Sequence, residues 1–89
     1  MTRRSLKIVN EKGLHARASA KLVEVVETFD AACNVHKDDM SASGDSIMGL
    51  LMLAASKGTF IEIETSGPEA AALADALEAL VVDKFGEEL

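Results

Sequence analysis

The sequence is poor in several residue types that particular functions require. Its 89 residues include no Trp, no Tyr, three Phe, one Pro and one Cys, and fifteen acidic residues outnumber nine basic ones. The formal net charge of -6 has the wrong sign for neutralising a phosphate backbone, and Trp and Tyr are absent as stacking partners for bases. The composition therefore argues against a nucleic-acid partner, and aliphatic side chains must fill the interior.

Cysteine and long apolar runs are equally scarce. The single Cys33 cannot form an intramolecular disulfide, which fits a reducing, cytoplasmic location. The two histidines, His15 and His36, and the one cysteine lack the paired spacing of a zinc site, so we expect no metal and no cofactor. The longest run of apolar residues and glycine, Ile47 to Ala55, is about half a membrane span, so we expect no insertion into a membrane.

The length predicts one globular domain over residues 1–89, and hydrophobic periodicity predicts its elements. Alternation predicts strands over residues 5–10, 32–37, 40–43 and 59–66, the middle two forming a hairpin. Three- and four-residue spacing predicts helices over residues 16–29 and 46–55 and from Gly67-Pro68-Glu69 to about Gly86. The order βαββαβα predicts a two-layer α/β (α+β) fold, an open-faced sandwich with a four-stranded antiparallel sheet and three helices on one face.

The same patterns predict which side chains are buried. Leu6 and Ile8 lie on one face of the first strand, and Cys33 and Val35 lie on one face of the second. His36 is therefore predicted to point to solvent, and Cys33 to be a small core residue. In the helices, the predicted core positions are Ala16, Ala20, Val23, Val26, Leu73, Leu77, Leu80 and Val81.

His15 is the first candidate functional residue, because it lies between the Gly13 break and the first helix. The free backbone N–H groups at the start of that helix, on Ala16, Arg17 and Ala18, form an anion site. At the N-cap, Nδ1 of His15 is placed as the oxygen of a capping Asn would be, and the positive helix end favours the neutral imidazole. A phosphoryl group on Nδ1 would be held by those amides and by Arg17. The alternative is a capping histidine beside an unrelated surface arginine.

The helix that begins after Ser46 is the second candidate, because it is apolar all round. If Leu50, Leu53 and Ala54 face the sheet, then Met48, Leu51 and Met52 face outward and form a partner surface. The alternative is a tilted helix covered by the chain terminus. Ser46 occupies the N-cap, where its hydroxyl has an ordinary capping role. A phosphate there would place about two negative charges beside the apolar surface, which makes a switch possible.

Three segments together resemble a known family. They are Gly13-Leu14-His15-Ala16-Arg17, Ser46-Ile47-Met48-Gly49 and Ala55-Ser56-Lys57-Gly58, and their combined spacing is similar to that of the histidine-containing phosphocarrier proteins (HPr) of the phosphoenolpyruvate-dependent phosphotransferase system. The resemblance covers nearly the whole chain. Residues 50–53, Gly67-Pro68 and the ending Phe85-Gly86-Glu87 look nearer to the nitrogen-related branch (NPr) than to the sugar-transport branch.

The resemblance implies a phosphocarrier rather than a catalyst with turnover of its own. His15 would accept phosphate on Nδ1 from phosphorylated enzyme I, with Arg17 assisting, and pass it to an enzyme IIA protein or domain. Ser46 matches the position modified by an HPr kinase/phosphorylase where such a kinase exists. The partner-docking residues would be Ile47, Met48, Leu51 and Met52, and the protein would be a monomer.

The sequence departs from the family pattern at two places. Ala18 stands where most members carry Pro, which frees one more amide and loosens the start of the helix. Glu24 and Glu27 make the exposed side of the first helix acidic, where many relatives are basic, so we expect selectivity among enzyme I partners. Two other functions stay open: a regulatory binding module controlled mainly by Ser46, and, with less support, a small enzyme, for which the sequence offers no deep pocket.

Overall fold

Four antiparallel strands form one sheet in the computed structural model, which describes residues 1–88. The strands are β1 (Thr2–Lys7), β2 (Ala32–Lys37), β3 (Met40–Ser43) and β4 (Phe60–Ser66), in the spatial order β1-β4-β2-β3. All three neighbouring pairs are antiparallel. The predicted sheet is therefore confirmed.

The helices are α1 (Ala16–Glu27), α2 (Ile47–Met52) and α3 (Ala70–Val82). The last helix was predicted to continue to about Gly86, but α3 ends at Val82 and a short 3-10 turn, Lys84–Gly86, follows it. The element order βαββαβα and the two-layer class agree with the prediction. Within residues 1–88, none of the helices has both the length and the apolar character needed to span a bilayer.

Several predicted boundaries were wrong by a few residues. β1 begins at Thr2 rather than Ser5, because Thr2 to Lys7 pair in register with Thr65 to Phe60. α2 ends at Met52 rather than near Ala55, because Ala54 takes a left-handed backbone conformation with φ of 51°. Pro68 lies outside α3, one residue before its N-cap Glu69.

The core lies between the sheet and the helices. Of the predicted core positions, Leu6, Ile8, Val23, Val26, Cys33, Val35, Leu73, Leu77 and Val81 are buried, whereas Ala20 and Leu80 are partly buried. Ala16 is exposed, which corrects its assignment to the core. In α1 the fully buried apolar positions are Ala18 and Leu22, so the apolar stripe is rotated from the predicted one.

The hairpin between β2 and β3 closes without glycine. Lys37 pairs with Met40, which leaves Asp38 and Asp39 as a two-residue loop, and Asp38 has φ of 54°. Asp tolerates this conformation better than most side chains. His36 is half-buried and hydrogen-bonded to Glu64 at 3.1 Å rather than free in solvent. Burial raises the pKa of the Cys33 thiol to about 11, which fits an inert core cysteine.

Candidate functional site

The loop before α1 is held in one conformation by Gly13. Its φ is +66°, and a Cβ there would lie 2.4 Å from the Ala55 carbonyl oxygen. That carbonyl accepts a hydrogen bond of 2.8 Å from the N–H of Leu14. Only glycine allows this close approach in this conformation. The residue before His15 is therefore fastened to the segment that follows α2.

His15 is the N-cap residue of α1, as predicted, with an extended backbone (φ -81°, ψ -174°). The first intrahelical bond runs from the N–H of Ser19 to the carbonyl of His15 at 2.8 Å, so the N–H groups of residues 16–18 precede the helical ladder. The comparison with a capping Asn is wrong in one respect, because the His15 side chain makes no cap hydrogen bond. The amides of Ala16, Arg17 and Ala18 are thus not occupied by the imidazole.

The imidazole instead contacts the segment after α3. Nε2 of His15 is hydrogen-bonded to Oε2 of Glu87. The other carboxylate oxygen of Glu87 accepts a hydrogen bond of 3.0 Å from Nδ2 of Asn10, and the same Nδ2 donates to the carbonyl of Gly13 at 2.9 Å. The hydrogen bonds from Asn10 and His15 hold the pKa of the Glu87 carboxyl below its usual range. Glu87 is therefore a carboxylate at neutral pH.

Two contacts fix the position of Glu87. Phe85 is fully buried, although its φ of 54° lies in the left-handed region, and its carbonyl accepts a hydrogen bond of 2.6 Å from Nζ of Lys21 on α1. A bulky residue keeps such a conformation only where its surroundings enforce it. The buried ring and the lysine hold the segment two residues before Glu87.

A recess of about 360 Å³ opens beside the imidazole, at a place where the sequence suggested no deep pocket. Its charged lining consists of three cations, Lys12, Arg17 and Lys21, and three carboxylates, Glu11, Glu87 and Glu88. Arg17 is exposed and makes no ion pair with another residue in the range 1–88. The exposed guanidinium of Arg17 in this recess and the amides at the start of α1 are the groups here that suit a phosphate, while the cations and carboxylates of the recess are equal in number.

Ser46 caps α2 as the sequence predicted. Its Oγ accepts a hydrogen bond of 3.0 Å from the N–H of Gly49. The neighbouring side chains Ile47, Met48 and Met52, which we call the methionine patch, have exposed fractions of 40%, 71% and 68%. Leu51 is half-buried, so it contributes less to the surface than expected. Of the three positions expected to face the sheet, Leu50 and Leu53 are buried, whereas Ala54 is exposed and its placement there was wrong.

Within residues 1–88, the segment after α3 does not cover the methionine patch, because residues 84–87 pack at His15 and Lys21. Helices α1 and α2 are in contact, and Ala55, three residues after α2, is hydrogen-bonded to Leu14. The patch and His15 therefore belong to one connected part of the molecule.

Comparison with known proteins agrees with this geometry. The family model described as "PTS HPr component phosphorylation site" matches residues 2–83. The chain belongs to the HPr family. It is 47% identical to the phosphocarrier protein HPr of Neisseria meningitidis over 98% of both chains. It is also 42% identical to the phosphocarrier protein NPr of Shewanella violacea, over 94% of this chain and 92% of that relative.

Solved HPr structures share the fold. The crystal structure of HPr-C-His from Thermoanaerobacter tengcongensis superposes with a TM-score of 0.95 at 35% identity, over the full length of both chains. As a member of the HPr family, the chain is a phosphocarrier of the phosphotransferase system, and its partners are components of that system.

Sequence reasoning missed two members of the site, Asn10 and Glu87. Asn10 is fully buried, yet the pattern indicates only a polar residue at the end of a strand. Glu87 lies 72 residues from His15 along the chain. One local signal points to it, the single aromatic Phe85 within an otherwise charged ending, since a buried Phe must hold its neighbours against the core.

Proposed function

We propose that His15 is the phosphoryl acceptor of this HPr-family carrier, receiving the group on Nδ1 from phosphorylated enzyme I and passing it to an enzyme IIA protein or domain. The observation that carries the proposal is the position of His15 at the N-cap of α1, next to three amides that precede the helical ladder. Arg17 lines the same recess and supplies a planar cation for the phosphate oxygens.

The test uses the two histidines of the chain as a matched pair. Incubation with phosphoenolpyruvate and the cognate enzyme I is expected to attach one acid-labile, base-stable phosphate. His15→Ala should abolish the label, whereas His36→Ala, which alters a strand histidine bonded to Glu64, should retain it. Retention of the label in His15→Ala would overturn the assignment.

Arg17 has a separate role that a second variant isolates. Arg17→Lys keeps a positive charge but loses the fork geometry, so phosphorylation should slow while the final stoichiometry stays at one phosphate. Arg3→Lys is the control, since Arg3 lies on β1 and pairs there with Glu62 and Glu64. Equal rates for the two variants would remove Arg17 from the proposed site.

The methionine patch, with the half-buried Leu51 beside it, is the proposed docking surface for enzyme I and enzyme IIA. Exposed apolar area of this kind is uncommon on a protein that binds nothing, and methionines adapt to partners of different shape. Met48→Ala and Met52→Ala should weaken binding of both partners by about 1 kcal/mol or more. The control is Val82→Ala on α3, which truncates an apolar side chain with the same 68% exposure as Met52.

The acidic residues of α1 restrict which enzyme I proteins can bind rapidly. Glu24 and Glu27 are both exposed. A partner with an acidic rim would meet like charges there, which slows encounter. Glu24→Lys combined with Glu27→Lys should therefore speed phosphorylation by an enzyme I from a distant sugar system, and the gain should shrink at high salt.

Regulation through Ser46 is the second candidate function, because Ser46 caps the helix that carries the methionine patch. An HPr kinase/phosphorylase would be the modifying partner, and the added charge would lie beside the docking surface. Ser46→Asp should lower partner affinity, whereas Ser41→Asp, an exposed change on β3, should not. Unchanged affinities in Ser46→Asp would remove the support for this function.

The protein is proposed to work as a cytoplasmic monomer with one domain over residues 1–89. A reducing compartment suits its single buried free thiol. Sedimentation at micromolar concentration should give the mass of one chain, 9.4 kDa. A dimer under those conditions would contradict the proposal.

A further inference from the structure

The segment after α3 places a carboxylate on the side of the His15 ring opposite its proposed reactive atom. Oε2 of Glu87 is bonded to Nε2, and the Glu87 side chain is only 16% exposed. A carboxylate is an acceptor only, so the shared proton must reside on Nε2. The lone pair of the neutral ring then lies on Nδ1, the atom nearer the backbone and the helix amides.

Asn10 gives this carboxylate a defined position. Its amide nitrogen donates both to Glu87 and to the Gly13 carbonyl, and its side chain is fully buried. Two oxygen acceptors at one nitrogen fix which way the amide is turned. The loop that carries His15 thus holds the carboxylate that contacts His15, and Phe85 and Lys21 hold it from the other side.

We infer that Glu87 is a positioning residue for phosphoryl transfer, which keeps the proton of His15 on Nε2 and leaves Nδ1 as the nucleophile. This inference rests on His15 being the acceptor. A buried carboxylate that orients an imidazole and stabilises its charged form has the same effect in hydrolases.

The transfer step shows what the proton on Nε2 contributes. The Nδ1 lone pair forms the N–P bond, while the bond between phosphorus and the leaving atom of the donor breaks and the donor keeps that electron pair. With the proton retained, the phosphorylated ring is positively charged, and Glu87 offsets this charge. In the onward transfer a nucleophilic atom of the acceptor forms a bond to phosphorus as the N–P bond breaks, the N–P electron pair returns to Nδ1, and the ring leaves as neutral imidazole rather than as an anion.

Three variants test the inference. Glu87→Gln keeps the size and removes the charge, and its amide can donate to Nε2 as well as accept from it, so the ring tautomer is no longer selected. Glu87→Asp keeps the charge on a shorter side chain. Asp83→Asn is the control, since it removes the same charge from the segment after α3, and Asp83 is exposed and does not line the recess beside His15.

The first measurement is the ¹⁵N NMR spectrum of the imidazole in the unphosphorylated protein. We expect Nε2–H in the wild type and in Asp83→Asn, and a larger fraction of Nδ1–H in Glu87→Gln, with partial recovery in Glu87→Asp. This measurement involves no phosphoryl donor, so it separates failure of the inference from failure of His15 as the acceptor. An unchanged tautomer in Glu87→Gln overturns the inference.

The second measurement is the rate of phosphorylation by phosphorylated enzyme I. With Glu87→Gln as the substrate, the turnover number of enzyme I should fall by about three- to tenfold, and its KM for the carrier should change little. This is the range of about three- to tenfold expected for one partly exposed charge-assisted hydrogen bond. Asp83→Asn should transfer at the wild-type rate. An equal loss in both variants would assign the effect to the charge of the segment and overturn the positioning role.

Discussion

Gly13→Ala is expected to destabilise the protein far more than the same change at Gly58, although both glycines have a positive φ. A Cβ at Gly13 would lie 2.4 Å from the Ala55 carbonyl oxygen and 2.9 Å from Cα of Ser56, both of them backbone atoms. A Cβ at Gly58, where φ is +90°, meets no atom within 4 Å. The pair therefore separates the cost of the backbone conformation from the cost of the close contact.

The magnitudes follow from the contacts. An alanine in the left-handed region costs about 1–2 kcal/mol, which is the whole expected loss at Gly58. At Gly13 the backbone must also separate, which strains or breaks the 2.8 Å bond from Leu14 to Ala55. That bond contributes about 1 kcal/mol, and the displaced packing costs about 1–3 kcal/mol more. We expect Gly13→Ala to lose about 3–6 kcal/mol, a large share of the stability of a small domain.

Urea unfolding monitored by far-UV circular dichroism measures both variants in the same way. The free energy of unfolding of Gly13→Ala should fall about 2–4 kcal/mol below that of Gly58→Ala, with similar m values. Since the displaced loop carries His15, phosphorylation should also slow in Gly13→Ala under conditions where it is folded. If the two variants are equally stable within about 0.5 kcal/mol, the contact with Ala55 does not hold the loop, and the reasoning is wrong.

Three further expectations concern single groups. Ser46→Ala should lower the free energy of unfolding by about 1 kcal/mol through loss of the helix cap, whereas Ser41→Ala on exposed β3 should change it by less than about 0.5 kcal/mol in urea titrations. Cys33, whose pKa burial raises to about 11, should react with Ellman's reagent at pH 8 only when urea is added, and rapid reaction in the folded protein would contradict its burial. The pKa of Glu87 is lowered, so its stabilising contacts persist above the pH at which a free Glu ionises and disappear as the pH falls through the lowered value. The amide NMR shifts of residues 85–87 should therefore show a titration step at a lower pH than a free Glu gives.

The fold could be predicted from the sequence wherever a local pattern decides the structure. Alternation of Ile61 and Ile63 with Glu62 and Glu64 predicts β4 to within one residue, and the bounds of β2 and β3 agree completely. The end of α2 could not be predicted in this way. Apolar residues continue to Ala55, but Ala54 leaves the helix and the Ala55 carbonyl bonds to Leu14, so a distant contact overrides local helix preference.

In the candidate site, too, local sequence predicts some features, whereas contacts between distant residues determine others. The places of His15 at a helix start and of Ser46 at a cap follow from neighbouring residues, so the sequence was sufficient for both. The orientation of the His15 ring was not predictable, because it depends on Glu87, which is remote in sequence, and on Asn10. Local capping preference favours a His15 ring turned toward the helix amides, but in the structure the ring is hydrogen-bonded to the Glu87 carboxylate instead.

The hydrogen bond between Leu14 and Ala55 has a consequence for the order in which partner proteins bind this carrier. It ties the loop of His15 to the end of α2, so a protein that binds the proposed docking surface meets the histidine at a fixed offset. The phosphoryl donor protein and the acceptor protein would then compete for the same docking surface, and both could not be bound at once. Relay would proceed by successive encounters, and its speed would depend on how quickly each partner departs and on the concentration of free carrier.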